Sequence, residues 1–171
     1  MRFADLLRAT VLLSGAATTA LAIVTFLAAQ QEGAPEVVVI ACGWWAVAAV
    51  IGARLGRSAE ATPPIARALA DARRADQLPE PRPAATMVNR LWPLLLVVLL
   101  AGGLALLVPQ VPAVTTGFTL IWALAWRRQD RAVTAIEERD GVAFFVERTS
   151  PFRAIRLVRT HGLRREAPAL P

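Results

Sequence analysis

Charged residues divide the chain into long silent stretches and crowded ones. No charge occurs from Ala9 to Gln31, from Val37 to Ala53, or from Leu91 to Trp126. Roughly 20 apolar residues suffice to cross the hydrocarbon core of a bilayer, so the first run predicts a transmembrane helix over about 9–31. The second run is at the short end of the range. Arg54 can snorkel its guanidinium to the interface and extend that span to 37–55. The third run is too long for one crossing. Pro109-Gln110-Val111-Pro112 breaks it, because proline lacks the N–H a helix interior needs. Two further spans follow, over about 91–108 and 112–127. The last is short, and crossing fully requires snorkelling by Arg127 and Arg128 or local thinning of the bilayer. A re-entrant hairpin that leaves three or fewer true spans is the competing reading. The predicted fold class is an all-α membrane protein: a four-transmembrane-helix bundle with a small cytoplasmic C-terminal β-hairpin. Residues 1–126 form the membrane region, with a cytoplasmic loop over 56–90, and residues 127–171 form a cytoplasmic tail.

Within the loop, Pro63–Leu78 predicts a short amphipathic helix. Thr62 is placed to cap it, and Ile65, Ala68, Leu69 and Ala72 share one face. In the tail, Arg127–Arg139 continues the last helix until Asp140-Gly141 ends it. Val142–Arg148 and Arg153–Thr160 are rich in β-branched and aromatic residues, and the turn residues Thr149-Ser150-Pro151-Phe152 separate them. A lone hairpin is marginal in water. It must lie against the Arg54–Arg90 segment, the membrane surface or a second copy.

Charge adds orientation to this picture. All 19 basic residues are Arg. The turns 30–36 and 109–112 contain none, whereas the amino-terminal end, the 54–90 segment and the 127–171 tail contain two, seven and ten. Arginine-rich segments stay on the cytoplasmic side, and four spans with both termini inside satisfy that rule at every loop. With 56% hydrophobic residues, a mean hydropathy of +0.47 and a net charge of +6, the chain suits a plasma membrane whose anionic head groups meet the arginines. The arginines at the span ends, Arg54, Arg57, Arg127 and Arg128, together with Trp92 and Trp126, are the candidate head-group contacts. The sequence pI is about 11.4, but no nucleic-acid-binding motif accompanies it, and topology accounts for the arginines.

Small residues four apart, Ala48, Gly52 and Gly56, allow close approach of another helix or of a second copy. Thr10, Ser14, Thr18 and Thr25 fall on roughly one face of the first span, and Thr115, Thr116 and Thr119 cluster in the fourth. Ordinary packing with a few interhelical hydrogen bonds is the reading; a polar lining for a solute path is the alternative. Trp44 and Trp45 lie near the middle of the second span. Each needs an acceptor for its N–H, for which a serine or threonine on a neighbouring helix is the candidate. Cys42 reads as a small buried side chain.

Catalytic chemistry finds little footing. His161 is the sole histidine and has no nucleophile and orienting group in an obvious constellation. Glu137, Glu138 and Asp140 stand without histidine or cysteine nearby and read as the solvated end of a helix. Glycine-rich phosphate loops are absent. No Asp, Glu, His, Arg or Lys lies within the uncharged runs of the spans, which argues against ion-coupled transport. The tail Gly141-Val142-Ala143-Phe144-Phe145-Val146-Glu147-Arg148-Thr149-Ser150-Pro151, followed by Ile155-Arg156-Leu157-Val158-Arg159-Thr160, resembles tails of small multi-pass membrane proteins of actinobacteria. That resemblance implies a bacterial plasma membrane and transfers no functional residue. The expectation is a non-enzymatic accessory or assembly subunit without cofactor or metal. Its basic face would contact anionic lipid or a membrane protein partner, including a second copy. A small transporter or channel for an uncharged or amphipathic solute is the alternative.

Overall fold

The computed structural model describes residues 1–58, 60–74, 83–147 and 155–161. Its elements, in chain order, are α1 (Phe3–Glu32), α2 (Pro35–Leu55), α3 (Pro63–Ala70), β1 (Arg73–Arg74), α4 (Pro83–Leu104), α5 (Gln110–Trp126), α6 (Gln129–Asp140), β2 (Val142–Val146) and β3 (Leu157–His161). Among the described residues, three helices are long and apolar enough to cross a membrane: Phe3–Glu32, Pro35–Leu55 and Ala84–Leu104. Helix α5 contains no charged residue but has 17 residues, about 26 Å at 1.5 Å per residue.

Glycine and proline set the turn between the first two helices. Gly33 takes φ 63° at the end of α1, a left-handed conformation that costs glycine little. The Ala34 N–H then reaches back to the Ala29 carbonyl at 3.0 Å and closes the helix. Pro35 opens α2 with its φ already helical.

Helix α5 is the centre of the bundle. It packs between α1 and α2, which touch each other little, and α4 lies on the outside against α1 and α5. The outward faces are apolar: Val39 (72% exposed), Leu99 (72%) and Leu106 (82%) are examples. Leaving such side chains in water forfeits about 1.5–3 kcal/mol apiece, and a surface carrying this many belongs in hydrocarbon.

At the end of the bundle where α1 begins and α5 finishes sits a small packed cap. Its core contains Phe3, Leu6 and Leu7 of α1, Ile65 and Leu69 of α3, Ala72, Val133 of α6, and Phe144, Val146 and Leu157 of the sheet. The sheet has the order β1-β3-β2, with β1 parallel and β2 antiparallel to β3. The chain start adds to its far edge: Arg2 bridges Phe145, and the Val146 N–H donates to the Met1 carbonyl at 3.0 Å. The first turns of α1 therefore belong to the cap, which is why this helix exceeds the length of a span.

Several expectations change here. Arg73 and Arg74 were expected to continue the loop helix; that helix stops at Ala70 because these two residues join the sheet as β1. Thr62 makes no side-chain cap. The last helix does not run through Arg127 and Arg128. They form a turn, and α6 starts afresh at Gln129, packing against α1 and β2. The pair of strands becomes part of a three-stranded sheet, and the expected turn at 149–152 lies outside the described residues.

Candidate functional site

Three regions carry the polar chemistry of the chain. The first is the seam of α5 with α1 and α2. Ala48 and Gly52 of α2 and Gly56 at its C-terminal cap are buried, and both glycines face α5. A Cβ on Gly52 would come within 2.9 Å of the Leu124 Cβ and 3.0 Å of the Ile121 Cα, and one on Gly56 would collide with the Leu124 carbonyl. Further out along the same interface, Trp44 lies over Gly117, whose missing Cβ leaves room for the indole. The indole N–H groups donate to backbone carbonyls of α5: Trp44 Nε1 to Val114 O at 3.2 Å and Trp45 Nε1 to Ala113 O at 2.8 Å. The acceptors are therefore not hydroxyl groups. Trp44 also meets Phe118 edge to face, with ring centroids 5.6 Å apart.

The hydroxyls turn mostly onto their own helices. Thr10, Thr18 and Thr25 donate to the carbonyls of Leu6, Ser14 and Leu21, and Thr115 and Thr116 to those of Val111 and Pro112. Between helices, Thr18 Oγ1 lies 2.9 Å from Thr119 Oγ1. Ser14 Oγ is buried without a partner among the described residues. Cys42, expected to be buried, is exposed, because the buried stripe of α2 follows Ala41, Ala48 and Gly52 and Cys42 is one position round from it.

The second region holds the arginines and indoles near the helix ends on the cap side. Arg54 and Arg57 at the end of α2 and Arg127 and Arg128 after α5 are all exposed. An Arg128 guanidinium N–H donates to the Arg57 carbonyl at 3.0 Å and ties the two helix ends together. Trp126 stacks on Trp122 at 5.8 Å with an 18° interplanar angle. Trp92, near the middle of the 22-residue α4, is 38% exposed.

The third region is the polar frame of the cap. Glu137, expected to be a solvated helix end, is 4% exposed. Its Oε2 accepts from Arg2 at 3.0 Å and its Oε1 from the Phe144 N–H at 2.8 Å. Gln129, also buried, accepts the Thr62 N–H at 3.0 Å and donates to the Glu60 carbonyl at 3.4 Å. Neither role was visible in the sequence, since Arg2, Thr62 and Glu60 lie far off along the chain and Phe144 meets Glu137 only after the turn at Gly141. Glu138 and Asp140 do face solvent. Arg139 donates to Asp140 at 2.7 Å, and this hydrogen bond holds the Asp140 carboxyl below its ordinary range.

No group of three or more metal-ligating side chains occurs among the described residues. A groove of about 420 Å³ lies at the opposite end of the bundle, walled by Phe26, Ala29, Gln30, Gly33, Val38 and Val39, with no titratable group in its walls. His161 pairs with Val142 at the end of β3, and Ser150 is outside the described residues. Comparison with known protein families, with curated proteins and with solved structures returns no match.

Proposed function

We propose that this chain is a non-catalytic accessory or assembly subunit of a bacterial plasma membrane. It crosses four times, keeps both termini in the cytoplasm, and presents its arginine-rich end to anionic head groups or to an acidic face of a membrane protein partner. The observation that carries this reading is the segregation of charge. Arg54, Arg57, Arg127 and Arg128 are exposed at the cap end, where Trp126 closes α5, and the opposite turns hold no arginine. Guanidinium groups stay with the cytoplasmic leaflet, where each basic residue near the surface contributes about 1 kcal/mol of attraction. Indoles favour the same depth.

The test is purification in mild detergent with the retained lipids and proteins quantified. Retention of anionic phospholipid, or of one partner in fixed ratio, is expected to fall when Arg54, Arg57, Arg127 and Arg128 are together changed to Gln. Unchanged retention removes the basis of the reading. So does any hydrolytic or transfer activity of the purified protein that is lost in His161→Ala.

A further inference from the structure

Residues paired across neighbouring strands present their side chains on one face of a sheet. Phe144 is paired with Arg159, and Arg159 with Arg74, so one row runs from the buried Phe144 through Arg159 to the edge strand. The Phe144 N–H points away from β3 onto Glu137. Phe144 and Arg159 are thus a non-hydrogen-bonded pair, the closer of the two antiparallel spacings. Arg159 is half-buried, and its Nε is closed to solvent with no hydrogen-bond partner among the described residues. Arg74, next in the row, is exposed. Two like charges in register repel, and a buried donor without an acceptor is costly. Cations on a short edge strand discourage unwanted pairing, which accounts for Arg73 and Arg74. It does not account for Arg159, which occupies the central strand. The buried carboxylate of the cap cannot neutralise the pair, because Glu137 is taken by Arg2 and the Phe144 N–H.

We propose that Arg74 and Arg159 form a binding site for a phosphate group, carried by the head group of an anionic phospholipid or by a soluble phosphate-bearing ligand. Guanidinium forks on paired residues of neighbouring strands suit the oxygens of a phosphate. An anion between them removes the repulsion, and because the Arg159 Nε is closed to solvent, the side chain turns outward to give that N–H an acceptor. This rests on the reading that the arginine-rich end receives anions, and it names where on that end a phosphate is held.

The test uses the full chain in phosphatidylcholine nanodiscs, with nitrogen-15 in the arginine side chains and the Arg159 Nε–H resonance identified by its loss in R159K. Phosphatidylglycerol is introduced into the disc in one arm, and inorganic phosphate into the buffer in the other. The resonance is expected to shift in at least one arm, with affinity reduced about tenfold by R74Q, as the loss of one charge-assisted contact implies. R159K, which keeps the charge and loses the fork, should weaken phosphate-dependent thermal stabilisation similarly. Arg74 is exposed, so R74Q reports on binding without endangering the fold. A shift with phosphatidylglycerol alone assigns the lipid head group; a shift with inorganic phosphate assigns a soluble ligand. If the Arg159 signal stays still while the discs retain phosphatidylglycerol through Arg127 and Arg128, the site is refuted and the broader function survives. If inorganic phosphate moves the signal and no anionic lipid is preferred, the site stands and the membrane-surface function falls. Silence in both arms with no lipid preference overturns both.

Discussion

A hydroxyl group has one proton to donate, and in the middle of the bundle three contacts compete for two. Thr18 can donate to the Ser14 carbonyl or toward Thr119, and Thr119 to the Thr116 carbonyl or toward Thr18. If both back-bonds form, the interhelical contact has no proton. Each hydroxyl is therefore satisfied without the other helix, and the pair adds little to association. Ser14 is the sharper case, because its Oγ is buried with no partner among the described residues. Ser14→Ala is expected to leave stability unchanged or raise it by about 1 kcal/mol, since it deletes an unsatisfied polar group. Unfolding by denaturing detergent reads this directly; a loss of several kcal/mol would mean that Ser14 has an acceptor. Gly117→Ala should behave oppositely. Its new methyl would occupy the place of the Trp44 indole, forcing the ring off α5 and breaking its bond to the Val114 carbonyl. Overpacking of this kind costs about 1–3 kcal/mol. Tryptophan fluorescence, measured along with stability, should shift as Trp44 moves; a silent spectrum would show that the helices simply part.

At the scale of elements, the cap depends on one carboxylate that reaches two others. Glu137 of α6 holds the Phe144 N–H of β2 and the Arg2 guanidinium ahead of α1. The Arg2 side chain is 54% exposed, so that ion pair is heavily screened, and the backbone bond is the stronger argument. Glu137→Ala should cost about 1–3 kcal/mol, because it leaves a buried N–H unpaired. Glu137→Gln retains an oxygen for Phe144 and should lose much less. Amide hydrogen exchange at Phe144 and Val146 distinguishes the variants; equal acceleration in both would transfer the importance to the charge. This is also where the sequence was least informative. Uncharged runs marked the three helices that can cross a membrane, since solvation by hydrocarbon is a property of each stretch alone. Gly33 and Gly141 marked helix ends for the same local reason. The cap is built from residues far apart, and no periodicity in Met1–Leu7 or Arg73–Arg74 announces pairing with a sheet. Glu137 reads the same as its solvated neighbour Glu138 until the fold places one against β2 and the other in water.

For the whole molecule, the cap constrains topology independently of charge. It contains the start of α1, the 62–74 segment and the sheet, and a single packed core cannot be divided by a bilayer. The chain must therefore return to its starting side between Leu7 and Ile65, and again between Ala72 and Val133. Helices α1 and α2 supply the first return. Helices α4 and α5 supply the second, either as two full crossings or as a loop that dips and comes back. Length bears on that choice: α5 covers about 26 Å of a core near 30 Å, and each ångström of mismatch costs only a fraction of a kcal/mol. Thinning, together with extension through Arg127, is thus cheaper than stranding the 105–109 turn inside hydrocarbon, where irregular backbone needs shelter within protein. Of the residues in this turn, Leu106 and Leu107 are exposed at 82% and 75% whereas Ala105 and Pro109 are buried, so the protein shelters it only in part. A reporter phosphatase that folds only outside the cytoplasm should accordingly be active when inserted at Gly33 or at Gln110, and inactive when fused after Pro171. Activity at Gly33 without activity at Gln110 would establish the dipping hairpin and reduce the spans to two. Activity after Pro171 would reverse the direction in which the arginines face.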